Sequence, residues 1–313
     1  MTRHLLTLDS LGREGILANL HLAGDLKAAG GMARDAIPGG RLGLIFDKPS
    51  TRTRVSFEAA AWGLGMLPIT LRPDELQLGR GETVADTARV LSRYLTALAI
   101  RTFDQARVEE LARYATIPII NALTDDHHPC QALADVMTLQ EEFGDTAGLR
   151  VAFIGDGNNV CHSLIQAAGH LGFTLAISTP DGFEPNAAIV EAARANCLVN
   201  GGAIEIGHDV RAAAADADAV YTDVWASMGQ EKEREERARI FAGYCVTPEL
   251  MALAKPRAIF LHCLPAHRGD EVLDEVIDGP QSRVWDEAEN RWYTEQALLY
   301  VLITGEERWE RMG

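Results

Sequence analysis

A chain of 313 residues is too long for one ordinary hydrophobic core and suits two domains of about 150 residues each. Its 47% hydrophobic and 24% charged residues are those of a globular protein, and no apolar run approaches the ~20 residues of a membrane-spanning helix. The net charge of −16 argues against nucleic acid as a partner, and five scattered cysteines with no CxxC pair argue against a disulfide framework.

Along the chain, short apolar runs alternate with longer amphipathic stretches. The start, from Met1 to Leu6, has too short an apolar part for a signal peptide, so the expected location is the cytoplasm. A strand is predicted over 42–46, then a loop, then a helix over 53–63. Strands follow at 95–100 and 117–120. The next helix runs from about 131 to 143, with Pro129 where it begins, a position that proline favours. The stretch 144–148, with a glycine at each end, marks a domain boundary. The second half repeats the scheme, with a strand at 151–154, a helix at 159–171, a strand at 174–177 and a helix at 185–199. Strands at 204–206, 219–222 and 258–261 and a closing helix over 290–304 complete it. Such alternation predicts an α/β protein with two doubly wound parallel sheets. Ligands of such sheets bind beyond the carboxyl ends of the strands, so the loops after each strand hold the candidate chemistry.

The first such loop reads Asp47-Lys48-Pro49-Ser50-Thr51-Arg52-Thr53-Arg54. Hydroxyls and backbone N–H groups at a helix start bind anions, and Arg52 adds a planar fork that matches phosphate. Capping alone explains one or two hydroxyls, not the whole run. A second loop, Asp126-His127-His128-Pro129-Cys130-Gln131, raises a metal hypothesis, but no second cluster supplies the remaining ligands at recognisable spacing. A neutral histidine donating to a carbonyl oxygen is the more economical reading. Gly155-Asp156-Gly157-Asn158-Asn159-Val160 invites a dinucleotide reading. Valine holds the third glycine's place, and the next strand ends in Ser178-Thr179-Pro180 without an acid to hold a ribose, which disfavours a nicotinamide dehydrogenase. Asn158 and Asn159 read instead as amide contacts for a small polar ligand. Asp223 stands at a strand tip before Ser227-Met228-Gly229, a candidate lid. The charged run from Glu231 to Arg237 reads as a solvated helix face. His262-Cys263-Leu264-Pro265 ends the last strand, and the bond before Pro265 is a candidate cis peptide.

Together these loops resemble the carbamoyltransferases. Residues 50–54 are similar to that family's carbamoyl phosphate motif and His128-Pro129-Cys130-Gln131 to its second motif. Asp223 with Ser227-Met228-Gly229, and His262-Cys263-Leu264-Pro265, resemble the ornithine enzymes in particular. The resemblance implies transfer of the carbamoyl group of carbamoyl phosphate to the side-chain amine of L-ornithine, giving L-citrulline and phosphate, in arginine biosynthesis. The alternative within the class is another amine, such as putrescine or an acylated ornithine. It implies a carbamoyl phosphate domain over 1–146 and an ornithine domain over 147–313, with the final helix packing back on the first. Ser50, Thr51, Arg52, Thr53 and Arg101 would hold the phosphate, with Gln77 reaching a neighbouring subunit's site. Thr53, Arg101 and His128 would donate to the carbamoyl oxygen. Gln131 and the carbonyls of Cys263 and Leu264 would take the carbamoyl amide, and Arg291 would close over the donor. Asn159, Asp223, Ser227 and Met228 would bind the amino-acid end of ornithine. Cys263, Arg101 and His128 are the catalytic candidates. No metal and no cofactor is expected, and the assembly implied is a homotrimer with sites at subunit interfaces. A carboxylate at Asp223 repels a dicarboxylate acceptor and suits an α-ammonium, which putrescine and an acylated ornithine lack.

Overall fold

The structure, a computed structural model, describes residues 3–72, 74, 76, 81–226 and 234–307. The sequence candidates Gln77, Ser227 and Met228 lie outside the described residues. The chain forms two compact units, Met1–Leu133 together with Glu289–Gly313, and Ala134–Ala288.

In the first unit the elements run α1 (Gly12–Ala28), β1 (Arg41–Phe46), α2 (Thr51–Gly63), β2 (Leu67–Leu71), α3 (Val84–Tyr94), β3 (Ala97–Arg101), α4 (Gln105–Tyr114) and β4 (Ile119–Leu123). Helix α5 (Pro129–Phe143) leads into the second unit, where β5 (Arg150–Ile154), α6 (Asn159–Leu171), β6 (Thr174–Ser178), α7 (Ala187–Asn200), β7 (Ala203–Gly207), α8 (Val210–Ala214) and β8 (Ala219–Thr222) follow. Then come α9 (Arg234–Ile240), α10 (Pro248–Met251), β9 (Ile259–Leu261), α11 (Asp274–Ile277) and the long α12 (Val284–Thr304), whose later turns belong to the first unit.

Both sheets are parallel, as the alternation predicts. The first has the order β2-β1-β3-β4 and the second β7-β6-β5-β8-β9. Strands β3 and β4 are buried at every residue, the signature of parallel strands covered on both faces. Among the described residues the apolar runs gather into a core in each unit. One gathers Ile45, Leu98, Ile100 and Ile119 with Val108 and Leu111 of α4. The other gathers Ile154, Val220 and Phe260 with Val246, Val272 and Ile277. Strand β2 carries no prediction above. It is an edge strand that includes Pro68, which a central strand would not accept, and Leu67 is largely exposed.

The sheet order fixes where the functional loops meet. In the first sheet the chain leaves β1 for β2 on one side and returns to β3 on the other. In the second it leaves β5 for β6 and returns to β8. These reversals are the switch points where loops diverge and open a crevice. Phe46 is in register with Arg101 across the first, and Ile154 with Thr222 across the second.

Candidate active site

The first switch point collects cations and hydroxyls. Arg101 stands at the tip of β3, beside the loop that follows Phe46. Ser50, in extended backbone, caps α2: its Oγ accepts from the Thr53 N–H at 3.3 Å and donates to Thr53 Oγ1 at 3.0 Å. Two hydroxyls are thereby held side by side at the start of a 13-residue helix, where backbone N–H groups and the helix dipole favour an anion. Thr53 and Arg101 are buried, Arg52 is half-buried and Thr51 is exposed. Arg54 turns away to Glu58, with 2.9 Å between Nε and Oε1, and so serves the surface of the helix.

His128, Gln131 and Arg291 are buried in the same unit. Arg291 donates from NH1 to Gln131 Oε1 and from Nε to Glu295 Oε1, each at 2.9 Å. The His128 imidazole is held well below its usual pKa of 6.5, first by burial and then by Arg291, Arg101 and Arg52. The three arginines and the histidine therefore share one field, although they come from four separate stretches of chain. A neutral ring there can donate one hydrogen bond without carrying charge. Burial pushes the Glu295 carboxyl up to about 7, against the pull of Arg291. Sequence reasoning passed over Glu295, and also Lys48, which is buried, paired with Asp125 and placed 4.4 Å from the centre of the Phe103 ring. Lys48 was visible as a cation in the same loop as Ser50; Glu295 lies in a helix that gave no local signal.

The second switch point is built around an anion. Asp223 is the first residue beyond β8, and Cys263 lies two residues beyond its neighbour β9. Asp223 Oδ2 accepts from Asn158 Nδ2 at 2.7 Å. Its Oδ1 accepts from its neighbour Val224 N at 2.8 Å and from Cys263 Sγ at 3.0 Å. Three donors hold the carboxylate in one orientation. Burial, and next the charge of Asp223, push the Cys263 thiol well above its usual pKa. Cys263 is thus a neutral thiol that donates, not a thiolate. Asn159 opens α6 and is buried. Asn158 has a different task from the one read in the sequence: its Oδ1 accepts from Val160 N at 3.0 Å and Cys161 N at 3.1 Å, so its amide caps α6 and orients Asp223. Leu264 has φ of +56°, and the Leu264–Pro265 peptide is cis. Beneath this loop Glu287 accepts from His262 N at 2.9 Å and from Tyr221 OH at 3.3 Å. Burial and then Asp135 raise the Glu287 carboxyl well above the usual range.

The glycine loop leaves no room for a dinucleotide-type approach at Gly157. Its N–H donates to Phe183 O at 2.9 Å, and a Cβ there would lie 2.4 Å from Pro185 N. The glycine is needed for packing against its own chain. Asp156 pairs with Arg237, which also donates to the Trp225 carbonyl. This corrects the solvated-face reading at Arg237, which is buried with its guanidinium 4.8 Å from the Phe183 ring centre; Glu235 and Glu236 are exposed, and residues 231–233 lie outside the described residues. A single charged residue in a charged run can turn inward when a buried acid awaits it, and no local pattern reveals that acid. Among the described residues, Asp223, His262 and Cys263 offer ligand atoms within 4.8 Å of one another, as do the exposed Asp181, Glu184 and His208. In the first group both ring nitrogens of His262 already face protein partners, Leu264 N and Glu271.

Comparison with known proteins also divides the chain in two, with bounds that assign residues 289–302 to the second part. The family model "Aspartate/ornithine carbamoyltransferase, carbamoyl-P binding domain" matches residues 3–141, and "Aspartate/ornithine carbamoyltransferase, Asp/Orn binding domain" matches residues 147–302. The chain is 50% identical over 305 residues to the ornithine carbamoyltransferase of Pyrococcus abyssi, covering 97% of this chain and 96% of that one. It is 53% identical over 269 residues to the anabolic ornithine carbamoyltransferase of Pyrococcus furiosus, covering 86% of this chain and 85% of the relative. A solved structure of ornithine carbamoyltransferase from Pyrococcus furiosus superposes with a TM-score of 0.93 at 50% identity, covering 97% of each chain. With a switch point lined by cations and hydroxyls in one unit, a fixed acid and thiol in the other, and both family models matched in order, this chain belongs to the aspartate/ornithine carbamoyltransferase family, on its ornithine branch.

Proposed function

We propose that the protein transfers the carbamoyl group of carbamoyl phosphate to the side-chain amine of L-ornithine, giving L-citrulline and phosphate. The observation that carries this reading is Asp223, a carboxylate fixed by Asn158, Val224 and Cys263 at the second switch point. It repels a dicarboxylate acceptor and suits the α-ammonium of an amino acid. The word "anabolic" in the name of the Pyrococcus furiosus relative favours a place in arginine biosynthesis. We place the enzyme in the cytoplasm, in keeping with the absence, among the described residues, of any helix long and apolar enough to cross a membrane. We assign it a homotrimer in which Gln77 of one subunit reaches the site of the next.

In the donor half, Ser50, Thr51, Arg52, Thr53 and Arg101 hold the phosphate, and Arg291 closes over it. Thr53, Arg101 and neutral His128 donate to the carbamoyl oxygen, where charge builds as the amine attacks. One such donor is worth about 2.7–4 kcal/mol in comparable sites. Gln131, whose Oε1 accepts from Arg291, takes the carbamoyl amide together with the carbonyls of Cys263 and Leu264. In the acceptor half, Asn159, Asp223, Ser227 and Met228 hold the amino-acid end.

The attacking nitrogen must be neutral, although an alkylammonium titrates near ~10.4. Cys263 and Asp223 position that nitrogen, and its burial on binding, not the Asp223 charge, favours the free amine. The new C–N bond forms as the C–O bond to phosphate breaks, and the leaving phosphate takes the amine proton. Cys263→Ala is expected to slow the reaction and move the acid limb of its pH profile, where the amine loses its proton; an unchanged rate and profile would remove Cys263 from this role.

The decisive experiment incubates the protein and carbamoyl phosphate with ornithine, N-acetylornithine, putrescine or aspartate in parallel. Citrulline from ornithine alone is expected. Product from another amine, with none from ornithine, would overturn the proposal.

A further inference from the structure

We propose that His262 and Glu271 are positioning residues, which set the backbone at Cys263 and Leu264 through the tautomer of the His262 ring. The role rests on the carbamoyltransferase reading, because that reading uses the carbonyls of Cys263 and Leu264.

Both side chains are buried, at 1% and 0% exposure, so water does not compete for their hydrogen bonds. The Leu264 N–H lies 2.8 Å from His262 Nδ1. A backbone N–H can only donate, so Nδ1 is the bare nitrogen and the proton of the neutral ring sits on Nε2. Nε2 lies 3.2 Å from Glu271 Oε1, which accepts that second hydrogen bond and holds the tautomer. The same oxygen accepts from His267 N at 2.5 Å, which ties the carboxylate to the chain just beyond the turn. Glu287 fixes the His262 backbone from the other side, accepting its N–H at 2.9 Å.

The bond from Leu264 N to the His262 ring spans two residues and closes a turn around Cys263. Leu264 takes φ of +56°, a conformation that is strained for a residue with a Cβ and persists only where its surroundings impose it. In the other tautomer, or as an imidazolium, Nδ1–H would meet Leu264 N–H donor against donor. The turn would open, the Cys263 thiol would leave Asp223, and the two carbonyls would lose their direction.

The test compares His262→Asn, His262→Gln and His262→Leu. Asparagine places an acceptor where Nδ1 stands and receives the N–H two residues on, as in an Asx-turn. Glutamine extends towards the Nε2 position and can still meet Glu271, but leaves Leu264 N without its acceptor. The expected result is that His262→Asn keeps kcat/KM within about 10-fold of the parent. The glutamine and leucine variants lose about 100-fold, mostly in kcat, the size of effect that ~1 Å of misplacement produces. Glu271→Gln should fall between them. Equal losses in the asparagine and glutamine variants at matched melting temperatures would overturn the proposal. The parent protein runs in the same assay, and its failure to make citrulline would sink the carbamoyltransferase reading instead. A neutron structure of the parent protein decides the tautomer without any variant. Deuterium on Nε2 and none on Nδ1 is expected, and deuterium on Nδ1 overturns the assignment.

Discussion

The two units use the same topological device to opposite electrostatic ends. In each, loops diverge at the centre of a parallel sheet and a polar residue caps the helix that follows. In the first unit Ser50 gives that helix a single cap bond, to Thr53 N at 3.3 Å, and cations gather beside it at Arg52 and Arg101. In the second, Asn158 accepts two N–H groups at 3.0 and 3.1 Å and spends its remaining amide on Asp223. A helix start beside arginines suits an anionic ligand. One sealed by its own cap and joined to a carboxylate suits an ammonium. The side chains beside the caps, Arg52 and Arg101 in one unit and Asp223 in the other, therefore set the charge each switch point presents, and the sheets place them.

Removing the cations should have the largest effect. Arg101→Leu is expected to lower kcat/KM by about 10²–10³-fold, the loss typical of one donor to a developing oxyanion. Steady-state kinetics with carbamoyl phosphate varied checks this, and a loss under 10-fold would show that Arg52 and Arg291 suffice. Asp223→Asn comes next and sharpens the opposite side. It should raise the KM for ornithine about 100-fold while leaving binding of carbamoyl phosphate near its parent value. It should also lower the pKa of the Cys263 thiol, because the Asp223 charge is among the causes that raise it. Faster alkylation of Cys263 by iodoacetamide at a fixed pH measures that shift.

The caps themselves should separate stability from activity. Asn158→Ala is expected to cost about 1 kcal/mol of stability by losing a cap. Ser50→Ala should cost no more in stability, yet reduce activity further, because the role proposed for its hydroxyl is to hold the phosphate of the donor. Denaturant unfolding alongside kinetics tests the split, and equal activity losses would break the comparison between the two starts.

The smallest expected effect is on stability against pH. The His128 pKa is lowered in the folded protein, so the unfolded chain binds a proton there that the folded one refuses. Stability from this site is complete at neutral pH and is lost as pH falls below about 6.5, the unfolded value. His128→Gln should flatten that part of the stability curve. A curve unchanged between pH 7 and 5 would place the depression of the ring elsewhere.

Much of this was legible in the chain because the relevant signals are local. A run such as Ser50-Thr51-Arg52-Thr53 is both cap and ligand set within one turn. Asp223 follows directly on a strand whose apolar run is plain, and Cys263 stands two residues beyond another. What escaped lies in partners brought in from a distance. Arg237 looked like one more surface charge in a charged run, and its inward turn depends on Asp156, some eighty positions earlier. Glu287 and Asp135 give no local signal in the chain, and burial in one place gives them a shared field. Asn158 looked like a ligand contact because nothing in its own loop shows the carboxylate it holds.

The amino-acid order alone thus determined the parallel α/β class, the loops that carry the chemistry and the sign of charge each loop presents. Periodicity, capping residues and strand tips are properties of a few consecutive residues, so they survive without coordinates. Only the tertiary structure decided that Arg52, Arg101 and Arg291 act on one imidazole, that Cys263 stays a thiol against Asp223, and that His262 carries its proton on Nε2. Those states arise from burial and from distances between strand tips. The order of strands in the sheets sets these distances, and no stretch of sequence contains that order.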